Sequence, residues 1–197
     1  MARTQQERRE YTRGKLLDAT IDSLLENGYA GTTTRAVAER AGVSAGAQTH
    51  HFPHRVDLVG AAVERLAQQR VVALAARAAH LPPDRKARTR KALDLLWGDF
   101  SSDLFTVFVK LWVAAADDPE LYARLVPLER QMSRQIAQAL PAFYGPDPPS
   151  DIGARVTTAL ATMRGLALSR AYEPTGRRQK DPWPTVRPIL ERLLTDV

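Results

Sequence analysis

A chain of 197 residues with 44% hydrophobic and 25% charged residues can bury a core and has the make-up of an ordinary globular protein. It has no cysteine, which excludes disulfides and thiolate metal centres; its start (MARTQQERREYTRGK) has no apolar leader region, and no apolar run approaches a membrane span, so a cytoplasmic, membrane-free setting is expected. The net charge of +6 does not locate a nucleic-acid site: the first 60 residues hold eight Lys/Arg against seven Asp/Glu, the other 137 twenty against fifteen.

Charge is uneven at shorter range. Arg3, Arg8, Arg9, Arg13 and Lys15 precede Asp18, Asp22 and Glu26, so a basic arm can meet phosphates whatever the domain total, or can simply be a solvated tail. Leu16, Leu17, Ile21, Leu24 and Leu25 then recur at helical spacing, and Asn27-Gly28 stops that amphipathic helix, since glycine accepts the left-handed conformation of a helix end. Thr33 is placed to cap a short helix over 35–41 with Val37, Ala38 and Ala41 inward. Gly42 ends it, Val43 fills the turn, and Ser44 caps a second short helix reaching His51 or Phe52.

Pro53 breaks the pattern, and a long helix runs from Arg55 to about Ala79. Asp84, after Leu81-Pro82-Pro83, caps the next one. Helices follow at about 85–99, 102–116 and 119–141; Pro127 is expected to kink or split the last of these. After the loop YGPDPPSD come helices at about 152–172 and 183–195, separated by 173–182. No stretch alternates with period two. The expectation is an all-α protein of about nine helices, with an N-terminal three-helix domain (1–54) and a larger helical domain (55–197).

Residues 33–52 carry the function. Two short helices joined by Ala41-Gly42-Val43-Ser44 read as a helix-turn-helix: Ala38 lets the helices cross closely, and the Ser44 cap leaves the second helix's N-terminus facing outward, towards DNA. The stretch GYAGTTTRAVAERAGVSAGAQTHHFPHRVDLV resembles the DNA-binding signature of the TetR/AcrR transcriptional regulators, over about residues 10–66. The resemblance implies homodimers, a palindromic double-stranded DNA operator, and derepression when a small molecule enters the C-terminal domain. It also implies phosphate contacts by Thr33, Ser44 and Arg55, with Ala45, Gly46, Thr49 and His50 on the exposed face of the recognition helix. Arg35 can reach backbone or groove. Gln48 and Thr49 depart from the family's usual apolar residue and tyrosine; Gln48 is a candidate adenine reader, although its register turns it towards the core.

His50, His51 and His54 are three of the four histidines, and no carboxylate stands at a ligating spacing, so no metal and no other cofactor is expected. No G-x-S-x-G, Walker loop, Rossmann glycine pattern or H-E-x-x-H occurs, and no enzyme is expected. In the body, Trp97, Phe100, Phe108, Trp112, Met132 and Met163 are candidates to line a pocket for an apolar or aromatic effector, or are simply core. Lys110, among apolar neighbours, is expected to be exposed. Val156, Ala159, Leu160, Met163, Gly165, Leu166, Ala167 and Leu168, with Ile189, Leu190, Leu193 and Leu194, are the expected dimer surface of the last two helices. The function expected is a ligand-released repressor; an activator or ligand-independent dimeric DNA-binding protein is the alternative.

Overall fold

The computed structural model describes residues 4–144, 149–171 and 181–196, without the side chains of 103, 132, 133, 135–144 and 171. Among these residues there are nine helices and no strand, as the periodicity predicts. They are α1 (Gln5–Gly31), α2 (Thr34–Ala41), α3 (Ala45–His51), α4 (Arg55–Ala78), α5 (Arg85–Phe100), α6 (Asp103–Ala115), α7 (Pro119–Tyr144), α8 (Ile152–Ala171) and α9 (Trp183–Thr195). No helix among the described residues is long and apolar enough to cross a membrane.

Helix α1 begins well before its apolar stripe. Thr4 and Glu7 close a reciprocal capping box: the Thr4 hydroxyl accepts from the Glu7 amide (3.2 Å) and the Glu7 carboxylate accepts from the Thr4 amide (2.7 Å). The residues expected as a basic arm are therefore helical from Gln5. Gly28 interrupts α1 with φ +65°, as expected of a glycine at a helix end. Thr32 then folds the turn back, its hydroxyl donating to the Gly28 carbonyl (2.8 Å) and accepting from Ser23 (3.1 Å).

Two of the later boundaries are informative. Asp84 caps α5 by accepting from the Ala87 amide (2.7 Å). Helix α7 continues through Pro127 as one element rather than splitting. That proline is exposed, so water can take the carbonyl whose helical partner it lacks.

The chain divides into two compact units, one of residues 1–70 and 110–130 and one of 71–109 and 131–197. The division falls inside α4, α6 and α7, and the first turns of α4 share the first unit's core. Leu58 and Ala62 pack there with Leu16, Leu17, Val37 and Phe52, while Val43 covers the cluster from the turn. Lys110 is exposed, as expected.

The second unit is built on α5, the start of α6, α8 and α9. Trp97 and Trp183 stack nearly parallel, their ring centres 5.0 Å apart, and Phe100 meets Phe105 edge-on at 4.7 Å. The indole N–H of Trp183 donates to Asp94 (2.8 Å), and Arg90 makes a two-bond pair with Glu191 (2.9 and 3.1 Å). The candidate pocket residues and the expected dimer residues lie as follows. Trp97, Phe100, Phe108 and Met163 are buried, with Trp97, Phe100 and Met163 packed in the unit's core rather than around an open space; Trp112 is half-buried in the other unit, and the side chain of Met132 lies outside the described residues. Of the expected dimer surface, Ala159, Met163 and Ala167 form one i, i+4 stripe that packs inward with Leu190 and Leu194, whereas Gly165, Leu168 and Ile189 are exposed. Apolar helical spacing marks a stripe that is buried first against its own unit.

Candidate nucleic-acid interface

The interface is assembled by three short-range devices. The Thr33 hydroxyl accepts from the Ala36 amide and starts α2; Gly42, at φ +62°, ends it, its amide meeting the Ala38 and Glu39 carbonyls; the Ser44 hydroxyl accepts from the Ala47 amide (3.2 Å) and starts α3. Only a left-handed residue allows so sharp a turn, which is why glycine stands at 42. Val37, Ala38 and Ala41 are buried beneath this turn. The result is that Ser44, Ala45, Gly46, Thr49 and His50 are all exposed on α3. Positions 45 and 46 carry almost no side chain, so the first turn of α3 presents free amides and its positive dipole end with little steric cover.

Two of the expected contacts are differently employed. Gln48 is 5% exposed and its side-chain amide donates to the Phe52 carbonyl (2.8 Å), which closes α3; it faces the core and not a groove. Arg55 lies against Tyr29, its guanidinium 3.9 Å from the ring centre and donating to the Tyr29 carbonyl. Its Nε is buried without a hydrogen-bond partner among the described residues, and the residue as a whole is half-buried. Arg35 is almost wholly exposed and, among the described residues, pairs with Glu39 one turn on (3.0 Å), a contact of little strength that a phosphate can replace. Thr33 is exposed.

Tyr29 and Asp118 join α1 to the start of α7, a link that the sequence reading did not single out. The Tyr29 hydroxyl donates to Asp118 (2.8 Å), and Asp118 caps α7 by accepting from the Leu121 amide (3.0 Å). The Leu121 amide and then the Tyr29 hydroxyl hold the Asp118 carboxyl below its ordinary value, while burial and the bond to Asp118 push the Tyr29 phenol up. Arg124 of α7 pairs with Asp57 of α4 nearby. In the sequence Tyr29 is marked only as an aromatic residue following Asn27-Gly28 and Asp118 as a helix start, and the two lie 89 residues apart. On α3 itself, burial, followed by the positive charges of His50, Arg9 and Arg13, holds His51 below its ordinary value.

A capped helix-turn-helix with a bare outer face, within an all-α chain, defines a DNA-binding transcription regulator. A family model described as "Bacterial regulatory proteins, tetR family" matches residues 16–62. An HTH-type transcriptional regulator of Mycobacterium tuberculosis is 32% identical over 192 residues, covering 96% of this chain and 98% of that protein. The regulator CymR of Pseudomonas putida is 42% identical over 119 residues, 60% of this chain and 58% of its own. Among solved structures, a transcriptional regulator of Streptomyces coelicolor superposes with a TM-score of 0.71 at 23% identity, over 93% of this chain and 98% of that one. The multidrug binding protein EbrR, complexed with ethidium, gives 0.68 at 24% identity, over 92% and 97%. The chain belongs to the tetR family of bacterial regulatory proteins.

Proposed function

We propose that the chain is a homodimeric repressor whose heads, residues 1–54, grip a palindromic operator through α2 and α3, and whose helical body, residues 55–197, releases it on binding a small apolar or aromatic molecule. The observation that carries the reading is the Ser44-capped α3 with Ala45, Gly46, Thr49 and His50 exposed together. Thr33, Ser44 and Arg35 are assigned to phosphates, and positions 45, 46, 49 and 50 to the groove. Gln48 and Arg55 instead hold the shape of the head.

Dimerisation is supported by the apolar residues that α8 and α9 leave outside, Leu168 and Ile189. Two heads can enter successive major grooves only when held about one DNA turn, ~34 Å, apart. The effector's chemistry is supported by EbrR, which has been solved with ethidium and with proflavin. Since Trp97, Phe100, Phe108 and Met163 are buried, an aromatic effector meets them only by parting packed side chains. Binding is then coupled to a change in packing, the differential contact that a population shift requires. The protein works in the compartment that holds the DNA.

The test is to select duplexes from a random pool and then titrate the selected site with ethidium and proflavin. A palindrome released by either supports the reading. No enriched duplex would remove it, and an affinity unchanged by either compound and by a wider set of planar aromatics leaves the ligand-independent alternative.

A further inference from the structure

The cations on and around the helix-turn-helix are largely committed within the protein. Arg35 pairs with Glu39, Arg40 with Glu26, and Arg65 with Asp18, while Arg55 lies on Tyr29. The first turns of α1 are different. Glu7 is engaged in the capping box, Glu10 accepts from the Gln6 side chain (3.1 Å), and neither forms an ion pair with an arginine among the described residues. Arg9 and Arg13 lie one turn apart on an exposed face, with no carboxylate oxygen within 4 Å among the described residues. Like charges at this spacing repel, which is unfavourable in the free protein and is relieved by an anion.

These two arginines, with Gln5, Gln6 and Glu10, line an open groove of about 660 Å³. They also reach the end of the recognition helix. The Arg13 guanidinium lies 5.5 Å from the ring centre of Phe52, the residue that closes α3, and the charges of both arginines act on the His51 ring. A helix seated in the major groove has a phosphate wall beyond its end, and guanidinium forks match phosphate oxygens in pairs.

We propose that Arg9 and Arg13 form a second, sequence-independent contact with the DNA phosphate backbone, flanking the base pairs that α3 reads. The proposal rests on the reading of the head as a DNA-binding module and adds α1 to the elements that touch the duplex. It also explains why a head of net charge near zero can be attracted to DNA: Asp18, Glu26, Glu39 and Asp57 each pair with an arginine, and the arginines of this strip pair with no carboxylate among the described residues.

The experiment compares wild type with R9Q/R13Q, R9K/R13K and, as a control in α5, K91Q. Affinity is measured across a salt series on a selected operator and on a 30-base-pair duplex of random sequence. Both arginines are exposed, and the lysine pair keeps the charge if the glutamine pair disturbs α1. The slope of log affinity against log salt for R9Q/R13Q should be shallower by about two per head, with affinity lower by about tenfold on both duplexes. R9K/R13K should keep the slope, and K91Q should match wild type. An unchanged slope in R9Q/R13Q, with wild type still preferring its operator, overturns the proposal; so does a loss confined to the operator. Wild type that prefers no duplex overturns the underlying DNA reading instead.

Discussion

At the tip of α3 the exposed side chains are among the smallest in the molecule, Ala45 and Gly46, whereas in the second unit the largest, Trp97 and Trp183, are stacked inside. The head makes its working surface by removing side-chain volume and by turning hydroxyls back onto helix ends at Thr33 and Ser44. The second unit makes its core by adding aromatic bulk and pinning it with polar bonds such as Trp183 to Asp94. Chemical richness and exposure are therefore inversely placed: the sparse surface is the one left open, and the aromatic cluster is the one packed inside.

The comparison breaks most directly through the head's core. Leu58 is fully buried there, so Leu58→Ala should cost about 3 kcal/mol. Amides of α1–α3 should then lose protection from hydrogen exchange together with DNA affinity, while those of α8 and α9 keep theirs. Simultaneous loss would show that the two units open as one block. Arg55→Ala comes next, at about 1–2 kcal/mol of stability from the lost stack and hydrogen bond, with no change in the salt slope of binding. A slope reduced by about one would return Arg55 to the phosphate contacts.

Gln48→Met sharpens the same contrast at smaller scale. It leaves the Phe52 carbonyl without its side-chain donor and should cost about 1 kcal/mol in urea unfolding, with operator preference unchanged. An altered base preference would make Gln48 a reader after all. The smallest effect concerns pH. His51 titrates below its ordinary value near 6.5, so the folded chain binds fewer protons than the unfolded one as pH falls. Its contribution to stability is complete above that value and is lost as pH drops towards the folded one. A phosphate near Arg9 and Arg13 favours the charged ring, so operator affinity should rise over the same interval. Unfolding midpoints and binding at pH 7.5 and 5.5, for wild type and His51→Gln, check both signs.

The helix-turn-helix was legible because its determinants are local: Thr33, Gly42 and Ser44 each act within five residues of where they stand. The start of α1 was equally local, written in Thr4 and Glu7, yet it was passed over because the polar turns before Leu16 carry no apolar period. Long-range partners left no such trace. Nothing near Arg55 in sequence reveals Tyr29, and Asp94 and Trp183 meet across 89 residues. Periodicity identified apolar stripes on α8 and α9 without saying whether a stripe faces its own core or a second copy. Net charge located no site for a related reason, since a sum over residues cannot tell a paired arginine from an unpaired one.

The Trp97–Trp183 stack has a further use. Two indoles held 5.0 Å apart within 10° of parallel couple their electronic transitions, and the chain's only other tryptophan, Trp112, lies in the other unit and is half-buried. The protein thus carries two native optical reporters, a coupled pair in one unit and an isolated ring in the other. Trp112→Phe leaves a chain whose tryptophan emission, excited beyond the tyrosine band, arises from the stacked pair alone, so events in that unit can be followed without a label.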